Sequence, residues 1–192
     1  MKKILIIITL FLSTISNIYA EDIKRIVVGN KDAKITVIAF ESLTCSHCAN
    51  FHKNVYPKLK KEYIDTGLAK IEFRHFPLDI AAFNASKVSQ CNNDGDSRIL
   101  NSLFANQQKW VKGSTVKEIN ENLQKFLAIE GLDIDFEKCI NDKEIEDFVL
   151  NDRIDGVKKF KVNATPTIII NNEKFEKTLN YKNLKKALEK LI

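Results

Sequence analysis

The sequence has little that would divide the chain into pieces or carry it across a membrane. Glycine and proline are scarce, with 6 and 3 residues among 192, and there is no internal repeat or low-complexity linker. No apolar run reaches the roughly 20 residues that a membrane-spanning helix needs. The net charge is only +5 and no basic stripe carries interleaved aromatic residues, so we exclude nucleic acid as a partner. We therefore expect one domain of ordinary size with its own hydrophobic core.

The first 20 residues have the order of a secretory signal peptide. Two lysines near the start are followed by an apolar run over residues 4–12, and Ala20 stands at the expected cleavage point. Ile18 occupies a position where a small residue is preferred, so an uncleaved membrane anchor is the alternative. The folded domain is then expected over residues 21–192, exported to the periplasm.

Four cysteines remain: Cys45, Cys48, Cys91 and Cys139. An even count behind an export signal indicates an oxidising compartment in which disulfides persist. Four cysteines permit three connectivities, and the sequence alone does not choose among them. Spacing favours a local bridge between Cys45 and Cys48, which leaves Cys91 and Cys139 as a second pair. We interpret that second pair as a structural disulfide, with a relay to the first pair as the alternative.

The hydrophobic pattern places the first cysteine pair between a strand and a helix. A strand is predicted over Lys34–Phe40, where β-branched and apolar side chains follow one another. A helix is predicted next, because apolar residues recur every four positions from Phe51 to Tyr63 and Gly67 closes the segment. A second strand is predicted over Ala69–Phe76, where apolar and polar side chains alternate. One face of that strand carries Ile71, Phe73 and His75.

The middle of the chain, about residues 78–160, is predicted to be helical. Thr115–Glu118 forms a capping box, in which hydroxyl and carboxylate satisfy each other's free backbone N–H groups. Strands return at Thr167–Ile170, and Asn171–Asn172 predicts a tight turn into a partner strand over Lys174–Thr178. A last amphipathic helix carries Leu184, Leu188 and Leu191. The order predicts an α/β fold with a helical block inserted into it or packed on it.

The chemistry lies in Cys45-Ser46-His47-Cys48. A disulfide exchanger needs one exposed thiol that ionises and a second thiol that resolves the mixed disulfide. If a helix begins here, Cys45 lies at its N-terminus, where free N–H groups and the helix dipole stabilise a thiolate. His47 adds a donor and, when protonated, a cation. We predict Cys45 as the nucleophile and Cys48 as the resolving thiol. Because a stabilised thiolate favours the reduced form, the disulfide becomes a stronger oxidant.

Zinc sites use the same cysteine spacing. Cys45, Cys48 and His52 give Cys-x2-Cys-x3-His, with His75 as a candidate fourth ligand. A structural zinc site needs four closed ligands, and the sequence has no second Cys-x-x-Cys and no paired histidines. A motif that joins a buried strand to a helix in an exported chain favours redox chemistry, so we predict no metal.

Several stretches together resemble the DsbA-type branch of the thioredoxin superfamily. They are residues 40–52, 74–78 and 162–170, and the surroundings of Cys91–Trp110 and of Cys139. The resemblance implies a thioredoxin-like fold, with a central mixed sheet flanked by helices, an inserted all-helical subdomain and no bound cofactor. It also implies that the Thr165–Pro166 bond is cis and lies against Cys45. The exposed backbone of Thr165 would then bind an extended substrate segment.

Two departures from the family pattern stand out. The central dipeptide is Ser46-His47 where the best-known member has Pro-His, and losing that proline is expected to loosen the turn. The superfamily often places a buried acid six residues before the first cysteine, where this chain has Ala39. Glu41, two residues further on, is a candidate proton relay in its place, and a plain surface acid is the alternative.

These patterns predict an exported dithiol oxidase that donates the Cys45–Cys48 disulfide to reduced or unfolded exported proteins. The resemblance implies a membrane quinone-linked partner of the DsbB type that reoxidises it. The alternatives are a disulfide isomerase or reductase, a non-catalytic binding or chaperone module, and a metal-delivery protein. Isomerases of this superfamily typically dimerise through an added N-terminal domain. Only about fourteen residues separate the predicted cleavage site from the first predicted strand, so we expect a monomer.

Overall fold

The computed structural model describes residues 22–192, so the predicted signal peptide lies outside the described residues. Within this part, one sheet is formed by β1 (Ile26–Gly29), β2 (Ile35–Glu41), β3 (Ala69–His75), β4 (Thr167–Ile170) and β5 (Glu173–Lys174). The strand order is β1-β3-β2-β4-β5. β2 and β3 are parallel, whereas the other neighbouring pairs are antiparallel. The sheet is therefore mixed, as the resemblance implies.

The helices follow the predicted order. Their bounds are α1 Ser46–Asn54, α2 Tyr56–Leu59, α3 Ile80–Gln90, α4 Arg98–Ala105, α5 Gln107–Trp110, α6 Val116–Ile129, α7 Phe136–Asn141, α8 Lys143–Phe160 and α9 Tyr181–Leu188. A π-helical turn, Lys60–Ile64, continues α2. Helices α3 to α8 lie between β3 and β4 in the chain, so the predicted helical insertion is confirmed. No helix within residues 22–192 is long and apolar enough to cross a membrane.

The two faces of the sheet pack against different cores, because successive side chains of a strand point to opposite faces. Val37 and Ala39 belong to the larger core, which also takes side chains from α1 and from the helical block. Phe40 belongs to the smaller core, where α8 comes so close that a Cβ on Gly156 would lie 2.9 Å from its ring. The same alternation places Glu41 on the face of the larger core, four residues before Cys45.

β1 is an element that the sequence pattern did not predict. It is four residues long and pairs antiparallel with β3, a strand that lies far from it in sequence. Arg25, directly before it, forms ion pairs with Glu72 and with the buried Asp152. Asp152 also accepts a hydrogen bond from the His75 N–H at 3.0 Å. The strand thus depends on distant partners that local propensity does not reveal.

The C-terminal elements differ in extent from the prediction. Asn171 and Asn172 have φ values of 46° and 72°, which confirms a tight turn of the type that hairpins favour. The partner strand covers Glu173–Lys174 and is shorter than the predicted Lys174–Thr178. The placement of Leu191 on the last helix was wrong, because α9 ends at Leu188 and Leu191 is exposed.

The capping box at the start of α6 is formed in part. The Thr115 hydroxyl accepts a hydrogen bond from the Glu118 N–H at 3.2 Å, as predicted. The Glu118 carboxylate, however, accepts from the N–H of Ser114 at 2.7 Å rather than from that of Thr115. Gly113 explains the shift, because a Cβ at this position would lie 2.6 Å from Glu118 and glycine alone permits the approach.

A disulfide joins Cys91 at the end of α3 to Cys139 in α7. It closes a loop across the helical block, with a sequence separation of 48. Such a cross-link stabilises a domain mainly by restricting its unfolded chain.

We expect the variant with both Cys91→Ala and Cys139→Ala to lose about 4 kcal/mol of unfolding free energy, the value for a loop of this length. Denaturant titration without reductant measures the difference. The control is the variant with Cys45→Ala and Cys48→Ala, in which the second disulfide is intact. A loss below about 1 kcal/mol would show that the disulfide does not stabilise the fold as a structural cross-link.

Candidate active site

A tight turn between β2 and α1 places the first cysteine at a helix N-terminus. The turn is closed by a hydrogen bond from the Cys45 N–H to the Ser42 carbonyl at 3.0 Å. Cys45 is the N-cap residue of α1, and its carbonyl accepts from the Ala49 N–H at 3.1 Å. Its side chain is half-buried, whereas Cys48, one turn further on, is fully buried. One sulfur is therefore accessible and the other is enclosed.

The surroundings of Cys45 favour its thiolate. Its pKa is lowered from the ordinary 9.0 to about 5. The largest cause is the hydrogen bond from the Cys48 thiol, and partial burial acts in the opposite direction. The Thr165 hydroxyl and the backbone N–H groups of Cys48 and His47 lower the pKa further. Donors at a helix start stabilise a thiolate in this way.

Cys48 has the opposite character. Burial raises the pKa of its thiol, and the neighbouring Cys45 sulfur and the Glu41 carboxylate raise it further. The Ser42 backbone N–H acts in the other direction but does not outweigh them. Cys48 is therefore a thiol near neutral pH, where Cys45 is a thiolate. This division suits one attacking and one resolving sulfur.

The loop before β4 lies against Cys45. The Thr165–Pro166 peptide bond is cis, and the Cys45 sulfur lies 3.4 Å from the Thr165 carbonyl oxygen. Thr165 as a whole residue is 9% exposed, and its carbonyl oxygen faces the Cys45 sulfur. Pro166 and the exposed side chain of His47 line a groove of about 250 Å³ beside the motif, together with Leu179. The backbone N–H of His47 is one of the groups that lower the pKa of Cys45.

Glu41 is buried, so the interpretation as a surface acid was wrong. Its carboxylate lies 2.8 Å from His52 Nε2, and the two side chains are 4% and 5% exposed. The other carboxylate oxygen is buried without a hydrogen-bond partner. The His52 ring stacks on Phe104, with ring centroids 4.1 Å apart, and on Phe73 at 5.3 Å. Burial raises the pKa of Glu41, and His52 opposes part of this shift.

The candidate zinc ligands are not gathered into a site. His52 binds Glu41, and His75 packs near Phe148 with Asp152 and Arg25 as its charged neighbours. Among residues 22–192, no three His, Cys, Asp or Glu side chains are grouped so that they could hold a metal ion.

The helical block contributes two side chains that sequence patterns did not single out. The Gln107 side chain donates hydrogen bonds to the carbonyls of Leu43 at 2.8 Å and of Cys45 at 3.1 Å. The Thr44 hydroxyl donates to the Asp79 carboxylate at 2.7 Å. The block therefore fixes the turn that carries the cysteine. A glutamine in a helical segment has no local signature of such a role.

Comparison with known proteins agrees with this geometry. Residues 21–190 match the family model described as thioredoxin. The crystal structure of alpha-DsbA1 from Wolbachia pipientis superposes with a TM-score of 0.77 and 32% identity, covering 87% of this chain and 90% of that one. The chain belongs to the DsbA-type branch of the thioredoxin family.

Two curated relatives of this DsbA-type chain are more distant. Disulfide bond formation protein D of Bacillus subtilis is 27% identical over 174 residues, which cover 85% of this chain and 75% of that protein. A Rickettsia bellii protein that carries the name of a protein-disulfide oxidoreductase is 28% identical over 173 residues. The match covers 89% of this chain but 66% of that relative, so the DsbA-type chain spans just under two thirds of its length.

We expect Cys45 to ionise with a midpoint near pH 5 in the reduced protein. Thiolate absorbance or the rate of alkylation against pH measures it. Cys48→Ala should raise the midpoint, because it removes the thiol that lowers the pKa most, and Cys48→Ser should restore part of the shift because a hydroxyl also donates. A Cys45 that titrates near 9.0 would contradict the geometry.

The same shift fixes the sign of a stability effect. Because folding lowers the pKa of Cys45, the thiolate stabilises the folded reduced form fully above about pH 9, and this stabilisation is lost as the pH falls through about 5. The oxidised form has no thiolate. The unfolding free energy of the reduced protein minus that of the oxidised protein should therefore decrease as the pH is lowered from about 9 to about 5. An increase of this difference on acidification would contradict the lowered pKa of Cys45.

We expect Gln107→Ala to lower the unfolding free energy by about 1–2 kcal/mol, because it removes donors from two carbonyls of the turn. It should also make Cys45 alkylation faster, since the turn is less restrained. Gln108→Ala, which changes an exposed neighbour, is the control. Equal effects of the two substitutions would show that the Gln107 hydrogen bonds do not restrain the turn.

Proposed function

We propose that this chain is an exported protein-disulfide oxidoreductase that acts as a dithiol oxidase. The observation that carries the proposal is the pairing of an accessible sulfur whose pKa is lowered to about 5 with an enclosed sulfur whose pKa is raised. A stabilised thiolate at Cys45 favours the reduced pair, so the oxidised pair gives up its disulfide readily. Membership of the DsbA-type branch supports the same chemistry.

The reaction starts from the Cys45–Cys48 disulfide. A substrate thiolate attacks the Cys45 sulfur, the Cys45–Cys48 bond breaks, and Cys48 leaves as a thiolate that takes up a proton. A second thiol of the substrate loses its proton and attacks the substrate sulfur that is now bonded to Cys45. The substrate disulfide forms, and Cys45 leaves as its stabilised thiolate. Counted from one substrate thiolate and one substrate thiol, the substrate has lost two electrons and one proton, and the enzyme pair has gained two electrons and one proton.

The groove beside the motif supports a polypeptide as the substrate. His47, Asn50, Thr165, Pro166 and Leu179 are among its lining residues, so it offers mainly polar surface beside the loop that contacts the Cys45 sulfur. A backbone segment laid along the Thr165–Pro166 loop would bring its cysteine to Cys45, in the manner of strand addition. In this proposal Thr165 and Pro166 bind the substrate, and Cys45, Cys48 and His47 form the catalytic motif.

The setting of the reaction is also part of the proposal. The apolar start of the sequence supports export to the periplasm as a signal peptide of 20 residues, with residues 21–192 as the working domain. The Cys91–Cys139 disulfide is typical of an oxidising compartment, and we assign it a structural role. A membrane quinone-linked partner of the DsbB type would accept the two electrons from the reduced pair, and the chain would act as a monomer.

The test uses the oxidised protein and a reduced, unfolded model substrate whose refolding requires disulfides. We expect disulfides to form in the substrate faster than with an equal concentration of glutathione disulfide. The equilibrium of the Cys45–Cys48 pair with glutathione should lie toward the reduced enzyme.

Cys45→Ala is the matched control, because an oxidase loses all activity with it whereas a binding or chaperone module does not change. Oxidation no faster than by glutathione disulfide would defeat the proposal. A protein that rearranges scrambled disulfides only in its reduced form would be an isomerase instead.

A further inference from the structure

A second groove lies on the flank of α1 that faces away from the Thr165–Pro166 loop. It has a volume of about 560 Å³, and its walls are α1 and the α4–α5 segment of the helical block. Ligand sites in proteins typically have volumes of about 300–1,000 Å³, so a short segment of another chain fits here. We call it the α1–α5 groove. The reaction at the two cysteines does not by itself give it a role.

The α1–α5 groove begins beside the reactive sulfur. Ser46, the residue after Cys45, lines it, as does Gln107, whose side chain donates to the Cys45 carbonyl at 3.1 Å. Asn50 lines both this groove and the one at the Thr165–Pro166 loop. A polypeptide whose cysteine reacts with Cys45 therefore passes within one residue of the α1–α5 groove.

The floor of the groove is apolar and its walls are small. Phe104 and His52 are buried, and their rings stack with centroids 4.1 Å apart. Ala49 and Ala105 also line the groove. Small side chains leave room for the backbone of a bound segment, and the buried rings offer it an apolar surface.

Amide side chains at the rim match the backbone of a polypeptide. Gln108 is exposed, and no hydrogen bond in the described part of the chain uses its amide. Asn50 accepts a hydrogen bond from Asn54 at 2.6 Å, which leaves its own NH₂ group to donate. Each amide carries both donor and acceptor groups. An extended segment presents one N–H and one C=O per residue, so these amides can bind it whatever its side chains are.

The charge on the lining of the groove is positive. Lys53 and Lys109 line it, and no aspartate or glutamate of residues 22–192 does. Lys109 pairs with Glu130 at 3.2 Å. Lys53 is exposed, and no ion pair among the described residues includes it. The Lys53 ammonium is therefore available to an acidic side chain of a partner.

We propose that the α1–α5 groove binds a segment of the substrate polypeptide that flanks its reactive cysteine, and that Lys53 selects an acidic residue in that segment. This inference deepens the proposed function and rests on it. The Thr165–Pro166 loop would hold the substrate on one side of its cysteine, and the α1–α5 groove would hold the other side. The preferred substrates are reduced polypeptides that carry an aspartate or glutamate close to a cysteine.

The length of α1 sets the distance between that acid and the cysteine. Lys53 lies seven residues after Ser46, which is about 10 Å along a helix. An extended segment advances about 3.3 Å per residue. An acid three or four residues from the substrate cysteine therefore reaches Lys53, whereas one that is eight residues away lies about 26 Å from the cysteine and beyond the groove.

Reduced peptides with two cysteines test this preference. Three peptides of identical composition carry one glutamate, placed four residues before the first cysteine, four residues after the second, or eight residues away. We expect the oxidised protein to oxidise one of the two near isomers about two- to fivefold faster than the distant one, the effect of one exposed ion pair. Each rate is divided by that of the same peptide with glutathione disulfide, which corrects for the reactivity of its thiols.

Variants of single lysines sharpen the test. Lys53→Glu should invert the ratio of near to distant isomer, and it should favour a near peptide with lysine in place of glutamate. A ratio of two peptides cancels any change in the reactivity of Cys45 itself. Lys125→Glu reverses an exposed charge on α6 and should keep the original ratio. Salt at about 0.5 M should bring the ratio close to one, because exposed charges are screened.

Equal corrected rates for the three isomers would overturn the inference. The same result follows if Lys53→Glu keeps the ratio of the unaltered protein. Failure to oxidise any of the peptides faster than glutathione disulfide does would instead defeat the proposed function.

Binding without redox chemistry tests the groove even then. The variant with Cys45→Ala and Cys48→Ala is titrated, by NMR, with peptides in which serine replaces both cysteines. We expect the backbone amide signals of Lys53 and Gln108 to shift more with a near isomer than with the distant one. Shifts confined to the Thr165–Pro166 side would overturn the inference. So would shifts of these signals with protein concentration alone, which a second copy in the groove would cause.

Discussion

The negative charge on one sulfur is the constraint on which the rest of this structure depends. Holding it requires a helix that begins at Cys45, a donor thiol one turn along, and a loop that crosses the end of the sheet at Thr165. Each comes from a different element, and the buried strand β2 brings them together because its last residues lead directly into the turn. A thiolate in a less organised setting would simply take up a proton.

The second sulfur shows the cost of this arrangement. Enclosing Cys48 lets its thiol donate to Cys45, but it also withdraws Cys48 from water and raises the pKa of its thiol. A buried carboxylate beside it is unfavourable for stability unless it is paired. The pairing of Glu41 with His52, in a stack of aromatic rings, keeps such a group inside the core. This polar pair in the larger core thus lies close to the cysteine motif.

Local sequence patterns predicted the parts of the fold that local forces determine. The β2 and β3 strands, the helix after the motif and the asparagine turn follow from side-chain periodicity and turn preferences. β1 was missed because four residues of edge strand depend on Arg25 and its distant partners. The burial of Glu41 was open to prediction, since it continues the alternation of Val37 and Ala39. The role of Gln107 was not, because it depends on how α5 approaches the turn.

The contact of Gln107 and Asp79 with the turn has a consequence for how members of such a family diverge. The redox centre lies where the sheet and the helical block meet. The residues that the block contributes there, Gln107 and Asp79, are not part of the Cys-x-x-Cys motif. Substitutions in the helical block therefore change the surroundings of the Cys45 sulfur without altering a residue of Cys-x-x-Cys. Two homologues with identical motifs need not share one reduction potential.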